Sequence, residues 1–397
     1  MKYPRKIDSI KLKGKLVLLR IDINSPVVEG KVVDNARFDE AAESIKYLLN
    51  KKAKLAILAH QGRKGDRDFT ELEQHAKILS RHLMKRIKYV PDLFGHKAAS
   101  SIEALKEGEA ILLENVREYK DEFDSSGGRF NQLSKKFDIY VNDAFSVSHR
   151  EQASIMIPPK IIPGYVGINL SKEIDALRKF KIKNGRSVFL IGGAKVKDYI
   201  PLFDNLKNKD ASVLASGILA NILLVSKGEN LGYENIWLNK NRFYELIPEL
   251  KKIVEKYTSQ IILPIDFALG KKDVEKTKNR TEKSILSAPF KEKIWDLGEE
   301  SILEFKSKIK KADFIFMKGP LGYSENKLFS KATVEILKTV SLRANNRNVT
   351  SILGGGHLTT TMQKYRIKNN FSHISTSGGA LIAYLSGKKL PGIEALR

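Results

Sequence analysis

The sequence predicts an α/β protein, two Rossmann-like parallel-sheet domains joined by a helix, and three observations carry that prediction. Short apolar runs rich in Ile, Leu and Val alternate with longer segments of helical period, as in a parallel sheet covered on both faces. The 397 residues exceed what a single core organises, so two domains are expected. Between the halves, "IMIPPKIIPGYVGINLSKEIDALRKFKIKNGR" clusters prolines that end the first pattern, then offers Ser171 as the cap of a helix running to about Lys183.

The strands of the first half are "KLVLLRID" (15 to 22), "KLAILAH" (54 to 60), "AILLEN" (110 to 115) and "DIYVND" (138 to 143), with a fifth near "IKYVPD". Those of the second half are "SVFLIGG" (187 to 193), "ASVLAS" (211 to 216), "QIILPID" (260 to 266), "DFIFMKG" (313 to 319), "TSILGGG" (350 to 356) and "SHISTSGG" (372 to 379). "DEFDSSGG" (121 to 128) and "GKKDVEKTKNRTEK" (270 to 283) read as surface loops without chemistry. The expected division is a first domain over 1–168, a hinge helix over 169–184, a second domain over 185–380 and a C-terminal tail over 381–397.

Composition removes several classes. With no cysteine there are no disulfides, no thiolate metal site and no cysteine nucleophile. No apolar run approaches the roughly 18 residues needed to span a bilayer, and the basic start "MKYPRKIDSIKLKGK" lacks a signal-peptide core, so a cytoplasmic protein with no membrane partner is expected. A net charge of +24 raises nucleic acid as a ligand. The lysines, however, are scattered in pairs (at 51, 135, 251, 271, 310 and 388) and not interleaved with aromatics, so a lysine-rich surface is the favoured explanation.

Open α/β sheets bind ligands beyond the carboxyl ends of their strands. In the first half those positions hold Asp22 and Asn24, His60 and Arg63, Arg117, and then Asn142, His149 and Arg150, with Arg37 on the first loop. Any one arginine is more simply read as paired with a surface acid. Four of them, arriving with a histidine, suit a small and highly anionic ligand gripped by guanidinium forks. In the second half the same positions carry glycine: Gly192 and Gly193 with Lys195, Gly217, Gly319 and Gly322 around Pro320, Gly354 to Gly356, and Gly378 with Gly379. Such clusters let backbone amides approach phosphates, which marks a nucleotide site although neither a P-loop nor a GxGxxG motif is present.

The stretches "RIDINSPV", "DNARFDEA", "AHQGRKG", "LLENVRE", "DIYVNDAFSVSHREQAS", "GGAKVKD", "WDLGEES", "MKGPLGYSE", "ILGGGHLTT", "STSGGA" and "LPGIEALR" occur in one order along nearly the whole chain. In this order they resemble phosphoglycerate kinase, its archaeal branch most. The resemblance implies reversible phosphoryl transfer from 1,3-bisphosphoglycerate to ADP, giving 3-phosphoglycerate and ATP, between two domains that face a cleft and close in-line. It implies Asp22, Asn24, Arg37, His60, Gln61, Gly62, Arg63, Arg117 and Arg150 for the phosphoglycerate. Gly192, Gly193, Lys195, Gly217, Gly319, Pro320, Glu325, Gly354, Gly355, Gly356 and His357 are implied for Mg-ATP or Mg-ADP, with Glu325 on the ribose. Arg37, Gly354, Gly355, Gly378 and Gly379 are the implied catalytic groups, and the tail is implied to return to the first domain. Three positions depart from the family pattern. Tyr199 stands where a second lysine is usual, which bears on the catalytic charge there, and His357 where an aspartate follows the triglycine, so magnesium is expected mainly on the nucleotide phosphates and water, with a weak protein contribution. Lys318 stands where "NGP" is common. The competing readings are a basic nucleic-acid-binding or scaffold protein, and a kinase of another phosphorylated acid.

Overall fold

A computed structural model describes residues 4–179, 186–208 and 210–397. The chain divides into two compact units. One holds the described residues up to Asp175 together with Gly387–Arg397; the other holds those of Ala176–Ser386.

The first unit is built on a six-stranded sheet, in spatial order Lys88–Tyr89, Ala110–Leu112, Lys54–Leu58, Leu16–Arg20, Ile139–Asn142 and Gly164–Val166, with every pairing parallel. The central strand is apolar on both faces because helices cover both: Val17, Leu18 and Leu19 are wholly buried. The helix Ala36–Asn50 buries Phe38, Ala41, Ala42, Ile45, Leu48 and Leu49, a stripe at three- and four-residue spacing that packs on this sheet. Gly164–Val166, expected within the proline-rich linker, is instead the sheet's edge strand. Tyr165 and Val166 are apolar, and prolines at 158, 159 and 163 stop short of the ladder.

The helix after it begins at Ile168, so Ser171 lies inside it and is not its cap. Asp143 serves that end: Leu170 N–H donates to its Oδ1 and Asn169 Nδ2 to its Oδ2, each at 3.0 Å. The helix is described to Lys179, and its expected end near Lys183 lies outside the described residues. The last short helix, Pro391–Glu394, belongs to the first unit. Gly392 N–H donates to the Ser148 carbonyl at 2.9 Å, Asn142 Nδ2 donates to the Gly392 carbonyl at 3.2 Å, and a Cβ on Gly392 would meet Ile155 at 2.6 Å. Residues 381–385 stay with the second unit, as part of a helix that buries Leu381, Ile382 and Leu385.

The second unit repeats the plan, with strands in the order Ile261–Ile262, Ala211–Ala215, Ser187–Ile191, Phe314–Lys318, Thr350–Gly354 and His373–Ser375, again all parallel. Val188, Leu190, Ile315, Met317 and Leu353 face the helices Glu299–Lys311 and Lys331–Arg343 in one core. A three-stranded antiparallel sheet is added: Thr281–Ser284, Asp266–Gly270 and Lys293–Leu297. Part of the charged 270–283 segment is therefore strand and not surface loop. Its Arg280 donates to Asp296 Oδ2 at 2.7 Å and to the Leu328 carbonyl at 3.1 Å, which anchors a polar sequence that hydropathy alone leaves unplaced.

Candidate active site

Parallel register in the first unit sets Arg20, Leu58 and Asn142 side by side across three strands, so the segments that follow them emerge together. Asp22 accepts from the Asn24 N–H at 2.9 Å, from Arg37 Nη1 at 2.7 Å and from the Ser146 hydroxyl. Arg37 is not on a loop but in the first turn of the helix Ala36–Asn50, where the cap Asn35 accepts from its N–H. Burial alone would raise the Asp22 carboxyl. The Arg37 guanidinium overrides this and, with the Ser146 and Asn24 donors, holds it well below the usual carboxylate range. Asn24 Oδ1 accepts from Gly62 N–H at 2.8 Å, tying the first strand's exit to the second's.

His60 is buried, with Arg20 Nη2 at 3.1 Å from its Nδ1. A guanidinium can only donate, so Nδ1 accepts and the proton sits on Nε2. Burial drives its pKa well below the ordinary value; the charges of Arg20, Arg117 and Arg37 add to this against the pull of Asp22. His60 is thus a neutral N–H donor at pH 7. We expect nitrogen-15 spectra to show His60 as the Nε2–H tautomer, with no titration from pH 8 down through 6.5. A midpoint near 6.5 would contradict this. Because the unfolded chain takes the proton first, His60 withdraws stability as pH falls below about 6.5 toward its lower folded value.

Arg117 is buried; its Nη1 donates to the Gly62 carbonyl, and its buried Nε has no partner. Burial pulls its pKa to about 10, with Arg150 and Arg20 pressing in the same direction. Arg150 is half-buried and lowered by burial and by Arg63, while Asp22 opposes. Among the described residues Arg63, Arg117 and Arg150 form no ion pair with a carboxylate, and Arg63 is exposed. Arg117 and Arg150 stay cationic at neutral pH, and like charges that press on one another leave a positive potential that an anion relieves.

Two of the predicted residues shape the loop after the second strand. Gln61 is fully buried: its Oε1 accepts from Ser25 N–H at 2.9 Å and faces His75 Nε2 at 3.0 Å, while its Nε2 donates to the Ser25 and Asp68 carbonyls at 2.8 Å each. Its side chain holds the loop. Gly62 has φ of +61°, and a Cβ there would stand 2.7 Å from the Phe69 backbone, so only glycine allows the loop to close over Arg117.

In the second unit the glycine turns press on one another. A Cβ on Gly192 would come 2.1 Å from the Pro320 carbonyl oxygen, and one on Gly319 would come 2.4 Å from the Gly192 carbonyl oxygen. Gly217 opens the helix Gly217–Ser226, Gly356 opens Gly356–Lys364, and Gly378 precedes Gly379–Leu385. Amide ends of several helices therefore gather at one sheet edge. Lys195 is exposed at the start of the short helix Val196–Tyr199, whereas Tyr199 is buried and its phenol pushed up to about 12, by burial and then by Asp198. Lys318 ends its strand nearly buried. Its Nζ donates to the Ser377 carbonyl at 3.3 Å, and Cβ atoms on Gly354, Gly355 and Gly378 would lie 3.4, 3.3 and 3.9 Å from it. Beside these turns is a cavity of about 410 Å³ lined by Gly217, Trp237, Phe267, Leu321, Glu325 and His357.

Residues 7–388 match the family model of phosphoglycerate kinase. The chain belongs to the phosphoglycerate kinase family. It is 38% identical to the phosphoglycerate kinase of Archaeoglobus fulgidus, over 98% of this chain and 96% of that one, and 35% identical to that of Pyrococcus abyssi, over 97% and 95%. The solved phosphoglycerate kinase of Pyrococcus horikoshii superposes with a TM-score of 0.89 at 33% identity, covering 99% of this chain and 98% of that one. That of Coxiella burnetii gives 0.78 at 30%, with the same coverage. The chain is accordingly a kinase of glycolysis that transfers a phosphoryl group between 1,3-bisphosphoglycerate with ADP and 3-phosphoglycerate with ATP, the acceptor being a carboxyl group. No helix among the described residues is long and apolar enough to cross a membrane.

The residues that hold this arginine and histidine cluster in place are not evident from the sequence. Arg20 is wholly buried inside an apolar run. Its Nε donates to Ser154 Oγ at 3.1 Å, and Ser154 donates from N–H and hydroxyl to buried Glu122, each at 2.9 Å. Glu122 comes from "DEFDSSGG", the loop given no chemistry. A lone charge within a central strand was the available signal, since it must find a buried partner.

Proposed function

We propose that the arginine face of the first unit binds the phosphoglycerate through Asp22, Asn24, Arg37, His60, Arg63, Arg117 and Arg150, with Gly62 shaping the loop. The glycine edge of the second unit binds ADP or ATP through the turns at Gly192–Gly193, Gly217, Gly319–Pro320 and Gly354–His357, with Glu325 on the ribose and Lys195 toward the phosphates. The observation that supports this reading is the grouping of Arg63, Arg117 and Arg150, without an ion-paired carboxylate among the described residues, with a neutral histidine donor, an arrangement that suits a compact polyanion.

Phosphoryl transfer needs little covalent help and proceeds by alignment and charge stabilisation. Arg37 and the amides of Gly354, Gly355, Gly378 and Gly379 face the transferring group, with the Lys318 ammonium between the two glycine turns. Tyr199, a buried neutral phenol, brings no charge. Each half-site lies in its own unit, and in-line transfer follows domain closure in this reading. Among the described residues no group of three or more His, Asp or Glu side chains is placed to hold a metal ion, and His357 is exposed. Magnesium would enter held mainly by the nucleotide phosphates and water, with a weak protein contribution, and would neutralise the phosphates' charge. The enzyme works in the cytoplasm on small anions and not on nucleic acid.

A coupled assay with ATP and 3-phosphoglycerate, run beside X-ray scattering, tests the proposal. Activity is expected with 3-phosphoglycerate in preference to other phosphorylated acids, and the radius of gyration should fall only when both ligands are present. Unchanged scattering with both bound would remove the hinge movement. A preferred acceptor other than 3-phosphoglycerate would remove the assignment of the arginine face.

A further inference from the structure

We propose that Asn221 selects the base of the nucleotide, accepting a hydrogen bond from the 6-amine of a 6-aminopurine and disfavouring 6-oxopurines; this rests on the placement of the nucleotide in the second unit's cavity. Asn221 lies one turn into the helix Gly217–Ser226, lines the 410 Å³ cavity and is buried. Its amide cannot turn freely. Nδ2 donates to Glu234 Oε1 at 3.0 Å, and the reversed amide would set an oxygen against a carboxylate. Glu234 is paired with Lys293, whose Nζ donates to both of its oxygens at 2.8 Å. Lys293 is in turn covered by the Trp237 ring, 3.6 Å from its ammonium.

Among the side chains of Asn221, Glu234 and Lys293, Asn221 Oδ1 is the buried polar atom without a partner. A buried acceptor left unmade is costly, and a ligand that supplies an N–H recovers that cost. Asp296 Oδ1 is the other unpartnered buried acceptor among the residues lining the cavity, and its carboxylate already accepts from Arg280 at 2.7 Å through Oδ2. Adenine offers an amine at position 6. Hypoxanthine and guanine present a carbonyl there, which sets lone pair against lone pair and leaves Oδ1 unpaired. Structural support of the cavity by Glu234 and Lys293 would not distinguish these bases.

Calorimetry on the intact protein with ADP and IDP, which differ at the 6-position and its N1 proton, tests the idea. ADP should bind about tenfold tighter than IDP, the scale of one hydrogen bond made against one lost. In Asn221→Leu the two affinities should fall within about twofold of each other, with the 3-phosphoglycerate KM unchanged. Equal affinities in the natural protein, or a ratio that survives Asn221→Leu, would overturn the proposal. Ile218→Trp, which fills the cavity, separates this from an error in the underlying placement. If that variant still binds both nucleotides normally, the nucleotide lies elsewhere and the proposal falls with the placement. If it binds neither, a failure to discriminate in the natural protein counts against Asn221 alone.

Discussion

Lys318→Met is expected to lower kcat by about 10² to 10³, or roughly 3 to 4 kcal/mol, the usual cost of removing one preorganised charge donor. Methionine keeps the aliphatic stem that packs at the strand end, so the fold should melt within a few degrees of the natural protein. The reason for so large an effect is position. The ammonium is nearly buried and lies between the turns at Gly354–Gly355 and Ser377–Gly378, where charge on the transferring phosphoryl would be greatest. Lys318→Arg should also fail. The site is already tight, for a Cβ on Gly354 would stand 2.9 Å from the lysine's Cδ, and a guanidinium needs more room. Wild-type kcat in the Met variant, with its fold intact, would show that the lysine only shapes the turn.

This placement changes the meaning of the triglycine. The sequence suggests that three missing side chains expose amides to phosphate, and Gly355, at φ of +114°, does adopt a conformation that other residues rarely take. The missing side chains also make space for Lys318, which comes from a neighbouring strand 36 residues earlier than Gly354, and no local pattern could announce that contact. The parallel strands were legible because a strand buried on both faces must be apolar throughout, as in "KLVLL" and "DFIFMK". The antiparallel addition was not, since Thr281–Ser284 is polar and is held by its partners in the ladder. Strand-end arginines were legible by topology, because parallel register must bring those ends together. Arg20, Ser154 and Glu122 were not, for they are distant in sequence and meet only under the sheet.

Arg37→Ala should cost about the same in kcat, roughly 10² to 10³, while calorimetric ADP binding stays within about twofold of the natural protein. The two readouts separate because Arg37 belongs to the first unit and the glycine turns to the second. Arg37 is held in place before any ligand arrives: Nη1 donates to Asp22 Oδ2 at 2.7 Å and to the Asn24 carbonyl at 3.1 Å, and the helix start fixes its backbone. A guanidinium so oriented meets developing charge without reorganising, and that is the condition under which a donor acts on the transition state more than on the ground state. Arg37→Lys keeps the charge but loses the planar fork, so it should recover little of the rate. The same substitutions act on stability through Asp22. Its folded pKa is depressed, so it contributes stability that is present above the unfolded value near 4 and is lost as pH falls toward the folded one. Without Arg37 burial dominates, the carboxyl titrates higher, and that contribution should vanish at neutral pH, visible as a lower Tm for Arg37→Ala at pH 7 and a smaller difference at pH 4. A variant that keeps kcat and raises only the 3-phosphoglycerate KM would show that Arg37 binds substrate and transition state equally, and the catalytic role given to it would be wrong.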